Sequence, residues 1–123
     1  MKHHFEWLSA ILLTASSLTG AAIAQIPDSY GAIATTPKAE FWGYSYDHPT
    51  QAEAERQALE ECGQSECKIQ VWFKNACGAI AKDDTGNLGW AWANTRPQAE
   101  AEAISTCGNG TCKIETWVCT TRY

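Results

Sequence analysis

Cys62, Cys67, Cys77, Cys107, Cys112 and Cys119 are the residues of this chain with the widest choice of chemistry. Cys62 to Cys67 and Cys107 to Cys112 each enclose four residues, a spacing that serves a short disulfide loop or a pair of zinc-ligating thiolates. An even number of cysteines behind an export signal favours oxidation, and six cysteines by themselves allow fifteen pairings. Catalytic combinations are thinner. His48 is the one histidine beyond residue 24. A Cys–His couple needs a free thiol, which three disulfides would remove, and a Ser-His-Asp set would have to use Asp47, whose side chain points away from its sequence neighbour. Asp47-His48-Pro49-Thr50 therefore reads as a turn ahead of a helix.

Paired carboxylates cleave glycosidic bonds, and Glu53, Glu55, Glu60, Glu61, Glu100 and Glu102 are available. They fall mostly on the outward sides of expected helices, whereas an acid catalyst needs a buried carboxyl, so they read as solvated faces. Asp83-Asp84-Thr85-Gly86-Asn87 has the composition of a calcium loop without its alternating ligands or closing Glu, and reads as a plain turn. No glycine-rich phosphate loop is present. We assign no catalytic residue, no metal ligand and no cofactor.

The aromatic residues are the more suggestive set. Trp42, Tyr44 and Tyr46 alternate with Gly43 and Ser45, and Leu88, Trp90 and Trp92 alternate with Gly89, Ala91 and Ala93, the two-residue period of strands. Trp42, Tyr44, Tyr46, Trp90 and Trp92 are expected on one face of adjacent strands, and Trp72 and Trp117 among Lys68, Gln70, Lys113 and Glu115. Tyr44, Tyr46, Trp72, Trp90, Trp92 and Trp117 form the candidate binding surface, a platform for stacking sugars or gripping a protein. The competing reading is that the row is core or a covering layer.

These residues need elements to hold them, and the chain supplies a set that occurs twice. Gly31-Ala32-Ile33-Ala34 returns as Gly78-Ala79-Ile80-Ala81, and Cys62, Cys67, Lys68, Ile69 and Trp72 return forty-five positions later as Cys107, Cys112, Lys113, Ile114 and Trp117. Thr50 and Glu53 form a capping box that starts a helix, with Thr95 and Gln98 as the weaker copy and Pro97 tolerated in the first turn. Ala54, Ala58, Leu59 and Cys62 share one helical face, as do Ala99, Ala103, Ile104 and Cys107, and Gly63 and Gly108 suit left-handed caps. Ile69, Val71 and Phe73, and Ile114, Thr116 and Val118, each give the next strand an apolar face. The expected architecture is α+β: two tandem β-β-α-β repeats, about 30–75 and 77–120, sharing one largely antiparallel sheet of about six strands with both helices on one face. If the copies fold alike, Cys62 pairs with Cys67 and Cys107 with Cys112. Cys77 then pairs with Cys119, in a bridge that the first copy lacks because Tyr30 and Lys74 stand there.

Residues 1–24 read as a signal peptide. Lys2, His3 and His4 precede an apolar stretch from Trp7 to Gly20, and Ala22-Ile23-Ala24 suits cleavage. The stretch is too short and polar to span a bilayer. Residues 25–123 form a single expected domain, secreted or periplasmic. Lys2 and Glu6 cancel, so the remainder keeps the formal net charge of -5. Nucleic acid recruits basic surfaces through counterion release, which makes it a poor partner for this chain.

Tyr30-Gly31-Ala32-Ile33-Ala34, Trp42-Gly43-Tyr44-Ser45-Tyr46, the run from Val71 to Ala81 and the closing Trp117-Val118-Cys119 resemble the small secreted bacterial family catalogued as domain of unknown function 4189. The resemblance implies export and brings no activity, cofactor or catalytic residue with it. Rigid cross-linking, missing catalytic groups and abundant Trp and Tyr point to a non-enzymatic binding domain with a protein partner in the periplasm or outside the cell, of inhibitor or immunity type. The alternatives are a cell-wall, glycan or peptidoglycan-binding module and a small hydrolase built on Asp47, His48 or a Glu pair.

Overall fold

A strand whose residues are all apolar has no side to give to water and must be covered twice. The two Gly-Ala-Ile-Ala runs are such strands, and they decide the layering. The computed structural model describes residues 26–108 and 110–121, so the signal reading over residues 1–24 lies outside the described residues. The elements are β1 (Tyr30–Thr35), β2 (Trp42–His48), α1 (Gln51–Cys62), β3 (Lys68–Lys74), β4 (Cys77–Lys82), β5 (Leu88–Ala93), α2 (Arg96–Cys107) and β6 (Lys113–Cys119).

The expected six-stranded sheet is not formed. The strands make two antiparallel sheets of three, ordered β2-β1-β3 and β5-β4-β6. Helix α1 lies on the outer face of the first sheet, where Ala54, Ala58 and Cys62 meet Ala32 and Ala34. Helix α2 lies on the outer face of the second, where Ala99, Ala103 and Cys107 meet Ala79, Ala81 and Ala93. The inner faces pack on each other through Ile33, Val71, Phe73, Ile80 and Val118. The helices are thus on opposite outer faces, not together on one. The physical reason is that a single sheet with both helices on one side would leave Ile33, Phe73 and Ile80 facing water.

The helix ends follow their sequence signals. The Thr50 hydroxyl accepts from the Glu53 backbone N–H, the Thr95 hydroxyl does the same for Gln98, and Gly63 and Gly108 close the helices in left-handed conformation. Leu59 and Ile104, expected on the buried faces, are exposed. The close approach of helix to sheet leaves room along each seam for alanine and cysteine only.

That approach depends on two glycines. Gly43 in β2 and Gly89 in β5 face the helices, and a Cβ on Gly43 would fall on the backbone of Ala58, Glu61 and Cys62, one on Gly89 on the backbone of Ala103 and Cys107. Each helix end is also bonded onward by a disulfide, Cys62–Cys67 or Cys107–Cys112, so it has little freedom to retreat. Gly89→Ala is therefore expected to destabilise the domain by about 1–3 kcal/mol, the usual range for overpacking, as read by chemical denaturation. An unchanged midpoint would show that α2 is not seated on β5 as described.

The closing strands differ from their expected alternation. The register of β3 against β1 shifts between Ile33 and Ala34, and Gln70 is the extra residue of a bulge. Ile69 consequently joins the α1 side while Val71 and Phe73 face the other sheet. Glu115 occupies the matching bulge of β6 against β4. Ile114 packs toward α2, and Val118 faces inward.

All three disulfides pair as the repeat argument expects: Cys62–Cys67, Cys77–Cys119 and Cys107–Cys112. The cysteine sulfurs that zinc would need as thiolates are bonded to one another as disulfides. Cys77 and Cys119 face each other across β4 and β6, and Tyr30 and Lys74 hold the corresponding register positions on β1 and β3. In the 83–87 turn the Asp83 carboxylate accepts from the backbone N–H groups of Thr85 and Asn87 and from both their side chains, which makes it the internal staple of that turn. Among the described residues no helix is long and apolar enough to cross a membrane.

Candidate functional site

Two three-stranded sheets stacked face to face leave two sides where an edge strand of one runs beside an edge strand of the other. Here β3 runs beside β5 on one side and β2 beside β6 on the other. Each pair of edges opens into a groove, and each groove is walled by aromatic side chains.

The first groove, about 480 Å³, has Trp72 on the β3 side, Trp90 and Trp92 on the β5 side, Gln70 and Lys74 beside them, and Phe73 in its lining. Trp90 and Trp92 stand opposite Ile80 and Gly78 on β4, so they project from the inner face of their sheet. Trp72 stands opposite Ala32, on the helix-bearing face, with its ring 6.3 Å from that of Tyr30. The second groove, about 420 Å³, is walled by Trp42, Tyr44 and Tyr46 of β2 and by Glu115 and Trp117 of β6. The β2 rings form a ladder, with centroids 5.8 Å apart from Trp42 to Tyr44 and 6.5 Å from Tyr44 to Tyr46. Across it, the guanidinium carbon of Arg96 lies 3.7 Å above the Trp117 ring.

All six residues of the candidate surface, Tyr44, Tyr46, Trp72, Trp90, Trp92 and Trp117, are between 39% and 55% exposed. They are walls, and the core is built of smaller residues and Phe73. Their grouping differs from the expected one. The β2 and β5 rings do not share a face of adjacent strands, because β2 and β5 belong to different sheets and border opposite sides of the molecule. Sequence periodicity ranks the faces of a strand but does not say which strand lies beside it. The bulges at Gln70 and Glu115 also break the expected single row of Trp72 with Lys68 and Gln70, and of Trp117 with Lys113 and Glu115.

His48 borders a separate depression with Pro27, Ser29, Asp47 and Thr121. The Ser29 hydroxyl donates directly to Asp47 at 2.6 Å, and the Thr121 backbone N–H and hydroxyl donate to the same carboxylate at 2.9 and 2.8 Å. A serine that donates to a carboxylate is not donating to an imidazole, so the Ser-His-Asp order is not assembled here. Asp47 instead fastens the segment entering β1 to the segment leaving β6. It does so from left-handed backbone, φ 60°, as the extra residue where the pairing of β1 with β2 shifts. The carboxylates of the helices bond locally, Gln51 to Glu55, Gln57 to Glu61 and Arg96 to Glu100.

Sequence reasoning missed Asp47 as a fastener, although the signal was present. The offset between corresponding residues is forty-six at Gly43 and Gly89 but forty-five at Thr50 and Thr95, and Asp47 lies in the stretch that is one residue longer. It also treated Glu61 as one more solvated carboxylate, whereas Glu61 borders the β2 ladder from the α1 side.

Comparison with known proteins agrees on the family level. The family described as Domain of unknown function (DUF4189) matches residues 30–119. Protein Rv1269c of Mycobacterium tuberculosis (strain ATCC 25618 / H37Rv) and Protein Mb1300c of Mycobacterium bovis are each 46% identical over 66 residues, which is 54% of this chain and 52% of theirs. The chain thus spans about half the length of the curated relatives it matches. The NMR structure of Rv1813c from Mycobacterium tuberculosis is similar over 97% of both chains, with a TM-score of 0.59 and 30% identity.

Proposed function

This chain belongs to the family described as Domain of unknown function (DUF4189), and because that description carries no activity we propose a function from the surface: a non-enzymatic binding domain, exported to the periplasm or beyond, that engages a partner protein through its two aromatic grooves. The supporting observation is that all six candidate aromatics are exposed and gathered into two clefts on a framework with three disulfides. Tryptophan and tyrosine contribute large contact area at small entropic cost, and a rigid frame holds that area ready. Export fits a chain whose six cysteines are all oxidised. We read the two halves as copies of one unit, which gives each groove one wall from either copy. An inhibitor or immunity-type role fits this reading, since masking a partner needs surface and no reactive group.

Residues 25–123 used as bait against exported proteins test the reading. Trp72→Ala with Trp117→Ala removes one wall from each groove, and loss of a central aromatic typically costs about 2 kcal/mol or more, which is about thirtyfold in affinity. Equal retention of the same partner by wild type and double variant would reject the aromatic surface.

A glycan-binding module is the second reading, favoured by Trp90 and Trp92 standing two residues apart on one strand wall. Co-sedimentation with purified peptidoglycan separates the two, because a protein-only binder stays in the supernatant. The hydrolase reading has no hydrogen-bonded Ser–His couple to support it among the described residues.

A further inference from the structure

The two grooves share an aromatic plan and differ in charge. Trp72 corresponds to Trp117, Trp90 to Tyr44 and Trp92 to Tyr46, but Gln70 of the first groove corresponds to Glu115 of the second. The first groove also carries Lys74. The β2 ladder has a carboxylate to either side, Glu115 in the second groove and Glu61 of α1 in the adjoining depression that shares the same rings.

We infer that the second groove receives a cationic segment of the partner, a stretch bearing arginine or lysine, seated against Trp42, Tyr44, Tyr46 and Trp117 between Glu61 and Glu115. This rests on the protein-binding reading above and narrows it to one groove and one chemistry. A ring face attracts a cation within about 6 Å of its centroid, and the second groove brings Trp42, Tyr44, Tyr46 and Trp117 together around one cleft. The chain itself makes such a contact on the β6 wall, where Arg96 lies over Trp117 at 3.7 Å. The flanking carboxylates are lightly engaged. Glu115 has Lys82 at 3.9 Å, and Glu61 accepts from Gln57 at 3.0 Å. A carboxylate has two oxygens and room for further donors, and the half-exposed Lys82–Glu115 pair is long enough for a closer cation to replace it. A net charge of -5 adds long-range attraction for a basic partner.

The test uses residues 25–123 as they fold, with disulfides intact, titrated with N-acetylated, C-amidated tetra-arginine and with tetraserine and tetraglutamate controls. Nuclear magnetic resonance of the ring protons reads the site. The expected result is that tetra-arginine alone shifts Tyr44, Tyr46 and Trp117 and leaves Trp72, Trp90 and Trp92 in place. Glu61→Gln with Glu115→Gln, exposed or half-exposed changes that keep shape, should weaken binding at least ~10-fold with the melting curve unchanged. Gln70→Glu should give the first groove a measurable response that the wild type lacks. Several results would overturn the inference: no response to tetra-arginine, affinity unaffected by the double variant, or equal shifts in both grooves. Equal shifts from tetraserine or from chitotetraose would do the same, the latter assigning the ladder to glycan. Partner capture lost through Trp72→Ala and Trp117→Ala, but without tetra-arginine binding, rejects the cationic occupant and leaves the broader reading standing. Tetra-arginine binding without aromatic-dependent capture rejects the broader reading.

Discussion

Replacing Cys77 and Cys119 together by alanine is expected to lower the free energy of unfolding by roughly 4 kcal/mol, about twice the loss from removing either of the other two bridges. The difference comes from the length of chain each bond closes. Cys77 and Cys119 are 42 residues apart, while Cys62–Cys67 and Cys107–Cys112 each close only five. A longer closed loop removes more freedom from the unfolded chain. Domains of this size have about 5–15 kcal/mol in total, so the variant should be left near the edge of folding. Urea denaturation of the unreduced variants would order the three bridges. A larger loss from the Cys62–Cys67 pair would show that local geometry outweighs loop length.

Phe73→Ala is expected to cost about 3–5 kcal/mol, the range for emptying a large buried aromatic site. Phe73 is 1% exposed and lies between the sheets. Its ring occupies the space where a Cβ on Gly31 or Gly78 would stand, so the strands that flank it are shaped to its volume. The helices on the outer faces cannot move inward to refill the void, because the sheets stand between. Phe73 also lines the first groove, so the same variant should broaden the Trp72, Trp90 and Trp92 resonances at temperatures where the protein is still folded. A loss below about 1.5 kcal/mol would mean that the two sheets do not share the core described here.

What could be read in advance was local. Thr50 and Thr95 announce helix starts, Gly63 and Gly108 announce stops, and the cysteine spacings give the bridges once corresponding segments are aligned. Each depends on residues within a turn or two of one another. The layering depends on which strand lies beside which, and alternation along one strand is silent about that. A clue existed in β1 and β4, whose residues are apolar on both faces: Ala32 and Ala34 turn to α1 while Ile33 turns to the opposite sheet. Two-sided cover for a central strand requires either helices on both faces or a second sheet. The bulges at Gln70 and Glu115 were hidden for another reason, since an extra residue on one strand is visible only against its partner. The candidate aromatics could be named from type and spacing, but their division between two clefts follows from the sheets being separate.

The Asp47 carboxylate, by accepting from both Ser29 and Thr121, brings the two extremities of the folded body to a single pole. Neighbouring extremities are the geometric condition for circular permutation. A short glycine-serine link from Thr121 to Ser29, with new ends opened between the exposed Asp84 and Thr85, should thread the same two sheets in a different order. It would leave both aromatic clefts intact for immobilisation from the opposite end of the molecule.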